Sequence, residues 1–133
     1  MDVKITDHSR EVFEALEKNI QLGLNAIGQT AEGYAKEDCP VDTGRLRNSI
    51  TFATATEQGK ANDGGGEPAS PEDYAKKRSP EKNAVYVGTN VDYAPKVENI
   101  SMRHKTGKAH FLKNSIANHG SEFEKIMKSA LKD

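Results

Sequence analysis

The sequence lacks the features that define several large classes of protein. It has no tryptophan and a single cysteine, Cys39, so no disulfide can form within the chain, and a lone thiol suits a reducing compartment. No apolar run approaches the roughly 20 residues that a membrane-spanning helix needs. The first residues also lack the apolar stretch of a secretory signal peptide. We therefore expect a protein without a membrane span that is made and used inside a cell.

The net charge and the apolar content are also low. The 133 residues carry a formal net charge of −1, which gives no general attraction toward nucleic acids or membranes. Only 35% of the residues are hydrophobic and the mean hydropathy is −0.78, so much of the chain must be solvated or meet partners. This length fits one domain, over 1–133.

The N-terminal part of the chain has the spacing of an amphipathic helix. Over 9–38, apolar residues recur in steps of three and four. This predicts a helix of roughly 45 Å, long for so small a domain, with Ser9 as its N-cap. Small residues inside it weaken a helix but allow another element to approach closely. These residues are Gly23, Gly28 and Gly33.

A second helical face covers 111–131 and is interrupted at Gly120. Ser121 and Glu124 have the spacing of a capping box, so we expect the last helix to restart at Ser121.

Between the helices, 49–56 and 83–92 are rich in β-branched residues and predict two paired strands. The glycine- and proline-containing segment 57–82 is either a mobile loop or a partner-binding arm, and we expect it to form a flexible hairpin loop that projects away. Residues 71–77 could form one or two helical turns with Pro71 at the first position. The expected fold class is α+β, in which a long N-terminal helix and a C-terminal helix pack on a small antiparallel sheet.

The connection between the first helix and the first strand is the most distinctive stretch of the sequence. After Cys39 it reads Pro-Val-Asp-Thr-Gly-Arg-Leu-Arg-Asn-Ser-Ile. Pro40 cannot continue a helix, and Gly44 favours a turn. We expect Arg45 and Arg47 to alternate along an extended segment and face the same side, where they are either solvated or pair with a partner carboxylate.

This run closely resembles the hallmark of a tailed-bacteriophage family, the small tail-component or tail-completion proteins of the head–tail neck. Two further blocks support the resemblance and follow in family order. They are Val85-Tyr86-Val87-Gly88-Thr89-Asn90-Val91-Asp92-Tyr93-Ala94-Pro95-Lys96-Val97-Glu98 and Ala109-His110-Phe111-Leu112. Residues 99–102 depart from the family, which commonly has an aromatic residue, glycine and threonine there.

The resemblance implies a structural virion protein without enzymatic activity or a cofactor. It implies a homo-oligomeric ring of about six copies, closed by head-to-tail contacts. Its neighbours would be head-closure and tail-tube or tail-terminator proteins, and DNA would pass through without sequence-specific binding. It would cap the tail, join the head, or do both, in a virion assembled in the bacterial cytoplasm.

We expect partner contacts in 57–82 and 96–110. The candidate residues are Arg45, Arg47, Tyr93, Glu98, Arg103, Lys105 and Lys108. An alternative function is a small nucleic-acid-binding module that uses the basic loop 96–113, with affinity that falls steeply with salt.

Catalytic and metal-binding alternatives have weaker support in the sequence. Asp42-Thr43-Gly44 matches the tripeptide of aspartic proteases, which need a second facing carboxylate, so a turn is the better interpretation. The four histidines lack the spacing of metal ligands, and His110 is expected at an element boundary. Cys39 is expected to be a buried structural thiol.

Overall fold

The computed structural model describes residues 9–40, 44–57, 67–74, 82–94 and 110–132, and the α+β prediction is confirmed. None of the helices in these ranges combines the length and apolar content needed to cross a bilayer. The elements are, in chain order, α1 (Ser9–Asp38), α2 (Arg45–Ser49), β1 (Thr51–Ala53), a 3-10 turn (Pro71–Asp73), β2 (Tyr86–Gly88), α3 (Phe111–Ala117) and α4 (Gly120–Leu131).

The first helix has the predicted extent, with Ser9 as its first residue instead of its cap. Two of its glycines lie at close contacts, as predicted. A Cβ atom at Gly28 would lie 2.4 Å from Cδ2 of Phe52 in β1, and one at Gly23 would lie 2.8 Å from Sδ of Met127 in α4. Since α1 contacts both strands and both C-terminal helices, it is the element on which the others assemble.

The sheet is smaller than predicted. β1 and β2 pair antiparallel over three residues each, with Phe52 opposite Val87. β1 ends before Thr54, whose hydroxyl accepts the backbone N–H groups of Thr56 and Glu57 at 3.3 and 3.1 Å. Such side-chain bonds compete with strand pairing and turn the chain. The predicted strand 49–56 is therefore wrong at both ends, since Ser49 is helical.

Part of the insertion between the two strands, which was predicted over 57–82, packs against the rest of the domain. Residues 67–74 fold back onto α2 and the end of β2, where Asp73 is only 4% exposed and Tyr74 forms an isolated bridge with Thr89. The prediction of a flexible projecting loop over 57–82 is wrong for this part. Residues 58–66 and 75–81 lie outside the described residues.

The C-terminal helical face is divided near the predicted position, but the predicted capping box is wrong. α4 begins at Gly120, so Ser121 lies within the helix. His119 is the residue before α4; its side chain makes no capping bond, while its carbonyl accepts the N–H of Phe123 at 3.0 Å.

The main core cluster joins parts of the sequence that are far apart. Val87 and Leu112 are partly buried against it. Its buried members are Ala35, Cys39, Leu46, Ile50, Val91, Ala94 and Phe111. Full burial of a large side chain such as Phe111 contributes about 1.5–3 kcal/mol.

Candidate assembly surface

The connection between α1 and β1 contains a short helix, α2, where the sequence predicts an extended segment. Gly44 has a φ angle of 89°, a left-handed conformation that favours glycine, and α2 follows it directly. At 3.6 residues per turn, Arg45 and Arg47 leave this helix roughly 200° apart. The expectation that these two arginines face the same side is therefore wrong.

Arg45 binds a carboxylate of its own chain at two points. Its Nε donates to Oδ2 of Asp73 and its Nη2 donates to Oδ1, both at 2.8 Å. Asp73 also accepts the backbone N–H of Ser70 at 3.0 Å and the Ser70 hydroxyl at 2.8 Å. The Arg45 bonds, followed by those from Ser70, hold the pKa of Asp73 well below its usual range. Arg45 thus makes with Asp73 of its own chain the two-point contact that was expected with the carboxylate of a partner.

The folded part of the insertion, residues 67–74, is hereafter called the returning arm. Further bonds fix it to both neighbours. The Asn48 side-chain amide of α2 donates to the Glu67 carbonyl at 3.0 Å. The Asp73 carbonyl accepts the backbone N–H of Asn90 at 2.7 Å and the hydroxyl of Thr89 at 3.2 Å. The arm is therefore held between α2 and the residues that follow β2.

Of the other predicted contact residues, only Tyr93 lies near Arg45 and Asp73. Tyr93 is 40% exposed; partial burial raises its pKa, and the nearby charge of Arg45 opposes the rise. Arg47 is half-buried on the other side of α2, where its charge acts on Lys36. The remaining candidates lie outside the described residues, as does most of the basic loop 96–113. They are Glu98, Arg103, Lys105 and Lys108.

A second polar cluster joins α1 to the start of α4. The rings of Tyr34 and His119 stack with centroids 3.5 Å apart and planes 1° from parallel. The Tyr34 hydroxyl donates to Glu122, which raises the pKa of Tyr34, and Nδ1 of His119 lies 4.0 Å from the same carboxylate. Because Tyr34 and Glu122 are 88 residues apart in the sequence, no local spacing could have predicted the cluster.

Glu32 and Lys36 form a buried ion pair on α1. Glu32 Oε1 and Lys36 Nζ are 3.7 Å apart, and neither atom makes a hydrogen bond in the described part of the chain. Burial raises the pKa of Glu32 and lowers that of Lys36, while the attraction between the two charges opposes both shifts. Removing such a pair of charges from water is costly.

Each residue of 10–18, the N-terminal end of α1, is exposed, and this segment is hereafter called the overhang. α4 runs back along α1 from Tyr34 toward Gly23, and it ends at Leu131. The apolar stripe of α1 continues beyond this point with exposed side chains, and an ion pair between Glu17 and Lys82 lies beside it. Three exposed side chains form the bare stripe. They are Val12 at 62%, Phe13 at 62% and Leu16 at 41% exposure.

The described residues, 9–40, 44–57, 67–74, 82–94 and 110–132, include Cys39 and His110. Across these ranges, no three His, Cys, Asp or Glu side chains are grouped to hold a metal ion. Cys39 is buried, as predicted, and its thiol donates to the Pro40 carbonyl at 3.4 Å. His110 lies at the start of α3, which agrees with the predicted element boundary. Asp42 lies outside the described residues.

No family model, curated protein or solved structure matches this chain.

Proposed function

We propose that this chain is a structural protein of a tailed phage or prophage, a tail-completion or head–tail joining component that assembles into a ring at the neck. It contacts copies of itself and the neighbouring head-closure and tail-tube or tail-terminator proteins. It binds these partners without catalysing a reaction, and DNA passes through the ring without sequence readout. It works in the virion after assembly in the host cytoplasm.

The packing of the resemblance-bearing residues is the observation that carries this proposal. Leu46 and Ile50 come from the first block, Val91 and Ala94 from the second, and Phe111 from the third, and all five belong to one buried cluster. Residues that resemble one family at three separated places thus lie together at the centre of the fold. This supports a resemblance of the whole domain over a chance likeness of short runs.

The exposed apolar stripe of the overhang supports an assembly role. Single apolar side chains on a surface are ordinary, but a group of neighbouring ones commonly marks a contact with another protein. Val12, Phe13 and Leu16 follow one another along one face of α1. The returning arm supplies a second, polar surface next to Tyr93, so one chain presents two unlike surfaces, as head-to-tail ring contacts require.

Quantitative peptide mass spectrometry of gradient-purified particles tests this proposal. Heads and tails separated by mild disruption are measured beside intact particles. The proposal predicts a fixed copy number in intact particles, with the protein retained on tails or at head vertices. A protein that is abundant in the lysate and absent from purified particles contradicts a place in the virion.

A further inference from the structure

The returning arm is held by polar bonds and adds little to the apolar core. Of residues 67–74, only Asp73 is buried, and the main core cluster contains none of them. Water can replace hydrogen bonds of this kind when a segment leaves, whereas buried apolar surface has no such substitute. The arm can therefore separate from the domain at a lower cost in free energy than unfolding of the core requires.

The surface that holds the arm lies on α2 and just after β2, and is hereafter called the arm site. Its residues are Arg45, Asn48, Thr89 and Asn90. In each described bond between the two surfaces, the arm site donates and the arm accepts. Three of the residues donate to the carboxylate or carbonyl of Asp73, and Asn48 donates to the carbonyl of Glu67. Two arm sites cannot make these bonds with each other, and neither can two arms.

The charges of the two surfaces are also complementary. Residues 67–74 contain three acidic side chains and no basic one, whereas α2 contains two arginines and no acidic residue. Arg45, which makes the two-point contact, keeps 41% of its side chain exposed and can be reached from outside the domain. Opposite charges favour contact between an arm and an arm site, and like charges disfavour contact between two arms.

We infer that copies of this chain exchange their returning arms, so that the arm of one copy fills the arm site of the next. The inference rests on the proposed ring function and names the contact that joins the copies. Residues 58–66 and 75–81 connect the arm to the domain, and fully extended they would span at most roughly 35 and 28 Å, which allows the arm to reach an adjacent copy. Because arm and arm site are different surfaces, successive exchanges can close a ring.

Complementary charge reversals test the exchange, because mixing two variants restores a contact only between chains. Arg45→Asp disables the arm site and leaves the arm intact, whereas Asp73→Arg disables the arm and leaves the arm site intact. Arg47→Asp is the matched control, since it makes the same charge change on the other side of α2. Sedimentation velocity measures each variant alone and the equimolar mixture, and native mass spectrometry with one chain isotopically labelled identifies mixed species. Circular dichroism shows whether each variant is folded.

The expected result has three parts. Wild type and Arg47→Asp associate into multiples of 14.5 kDa as concentration rises. Arg45→Asp and Asp73→Arg remain monomeric alone, because each places like charges at the contact. Their mixture forms multimers that contain both chains, with the native ion pair at one contact and the reversed ion pair at the next.

A disulfide at the isolated bridge between Tyr74 and Thr89 gives a second measurement that does not depend on charge. Opposed residues of an antiparallel pair have Cβ atoms about 4.5–5.5 Å apart, within about 1 Å of the spacing that a disulfide needs. A chain with Tyr74→Cys is mixed with a chain with Thr89→Cys and oxidised, and exchange predicts a disulfide between the two chains. A mixture of Tyr74→Cys with Ile116→Cys, at an exposed position of α3, gives the background.

The inference is overturned by a wild type that stays monomeric, by a charge-reversal mixture that gains no mixed species, or by an interchain disulfide no more abundant than the background. If a charge-reversal variant is unfolded, the disulfide alone decides. The proposed function fails separately. A protein present in purified particles whose arm stays on its own chain refutes the exchange alone, and absence from particles refutes the place in the virion whatever the arm does.

Discussion

Arg45 and Asp73, 28 residues apart in the sequence, form a two-point ion pair in which both N–O distances are 2.8 Å. The pair joins α2 to the returning arm and thereby fixes one part of the insertion between the two strands. Asp73 is buried, so its carboxylate depends on Arg45 and Ser70 to replace the water it has lost.

Acid should weaken the protein through Asp73. A carboxyl group whose folded-state pKa is depressed stabilises the fold above the unfolded-state pKa of about 3.9, and that stabilisation is lost as the pH falls toward the folded-state value. In Asp73→Asn we expect a lower urea midpoint at neutral pH and a shallower loss of stability below about pH 5. Urea unfolding of both proteins from neutral to acid pH measures this.

Arg45→Lys is the matched control for the pair, because it keeps the positive charge but loses the planar, two-point geometry. We expect its stability at neutral pH to fall between that of the wild type and that of Asp73→Asn. Equal acid sensitivity of the wild type and Asp73→Asn would show that another carboxylate dominates acid unfolding.

Gly28 and Gly33 should respond in opposite ways to the same substitution. Gly28→Ala puts a methyl group 2.4 Å from Cδ2 of the buried Phe52, and overpacking of this kind costs about 1–3 kcal/mol. Gly33→Ala is in the same helix, but there no described residue outside the helix's own turns lies within 4 Å of the added methyl group, so we expect this change to stabilise the protein by about 0.5–1 kcal/mol. Chemical denaturation measures both changes.

Phe52→Leu combined with Gly28→Ala tests the cause of the destabilisation. If contact with the ring is responsible, the double variant recovers part of the loss caused by Gly28→Ala alone. A cost for Gly28→Ala no greater than that for Gly33→Ala would contradict the close packing of α1 on β1.

The sequence predicts α1 well because its signal is long and local. The apolar period runs over 9–38 without interruption, and Pro40 ends it, so both ends agree with the structure. α2 has only five residues, which is too short for a period to show. The alternation Arg-Leu-Arg therefore predicts an extended segment, although Leu46 is buried within a helix.

The candidate surface depends on contacts that no local pattern contains. Nothing near Asp73 in the sequence indicates that Arg45 will pair with it. A segment that contains several glycines and prolines predicts a loop, and its composition does not show whether the loop packs against the rest of the domain. The bare overhang follows from where α4 ends relative to α1, a tertiary feature. The unusual length of α1 was the one local signal of it.

The buried pair of Glu32 and Lys36 should tolerate removal of both charges better than removal of one. Lys36→Met leaves Glu32 without its counter-charge and should cost about 3 kcal/mol at neutral pH. A raised folded-state pKa gives stability that is present below the unfolded-state value of about 4.3 and lost as pH rises, so the deficit should shrink near pH 4.

The double variant Glu32→Leu with Lys36→Met is the control, and we expect stability equal to or above that of the wild type. Denaturation at two pH values distinguishes the cases. A Lys36→Met protein as stable as the wild type at neutral pH would contradict burial of the pair.

Tyr34 should ionise at a higher pH than an ordinary tyrosine because its hydroxyl donates to Glu122. In an alkaline titration followed by tyrosinate absorbance, Tyr34→Phe identifies the signal of this residue. Glu122→Gln should lower its pKa toward the usual value of about 10. Since the folded-state pKa is raised, the stability linked to Tyr34 persists below about pH 10 and is lost at higher pH. An unchanged titration in Glu122→Gln would contradict the hydrogen bond.

Electron microscopy of particles made without this protein tests the neck assignment most directly. A stop codon is placed early in the coding sequence within the phage or prophage, and the wild-type chain is supplied separately as a control. The account predicts complete heads beside unjoined tails or tails of irregular length, with normal particles restored by the supplied chain. Normal, infectious particles without the protein would contradict the neck assignment, and a salt titration of nucleic-acid binding by 96–113 would then test the alternative function.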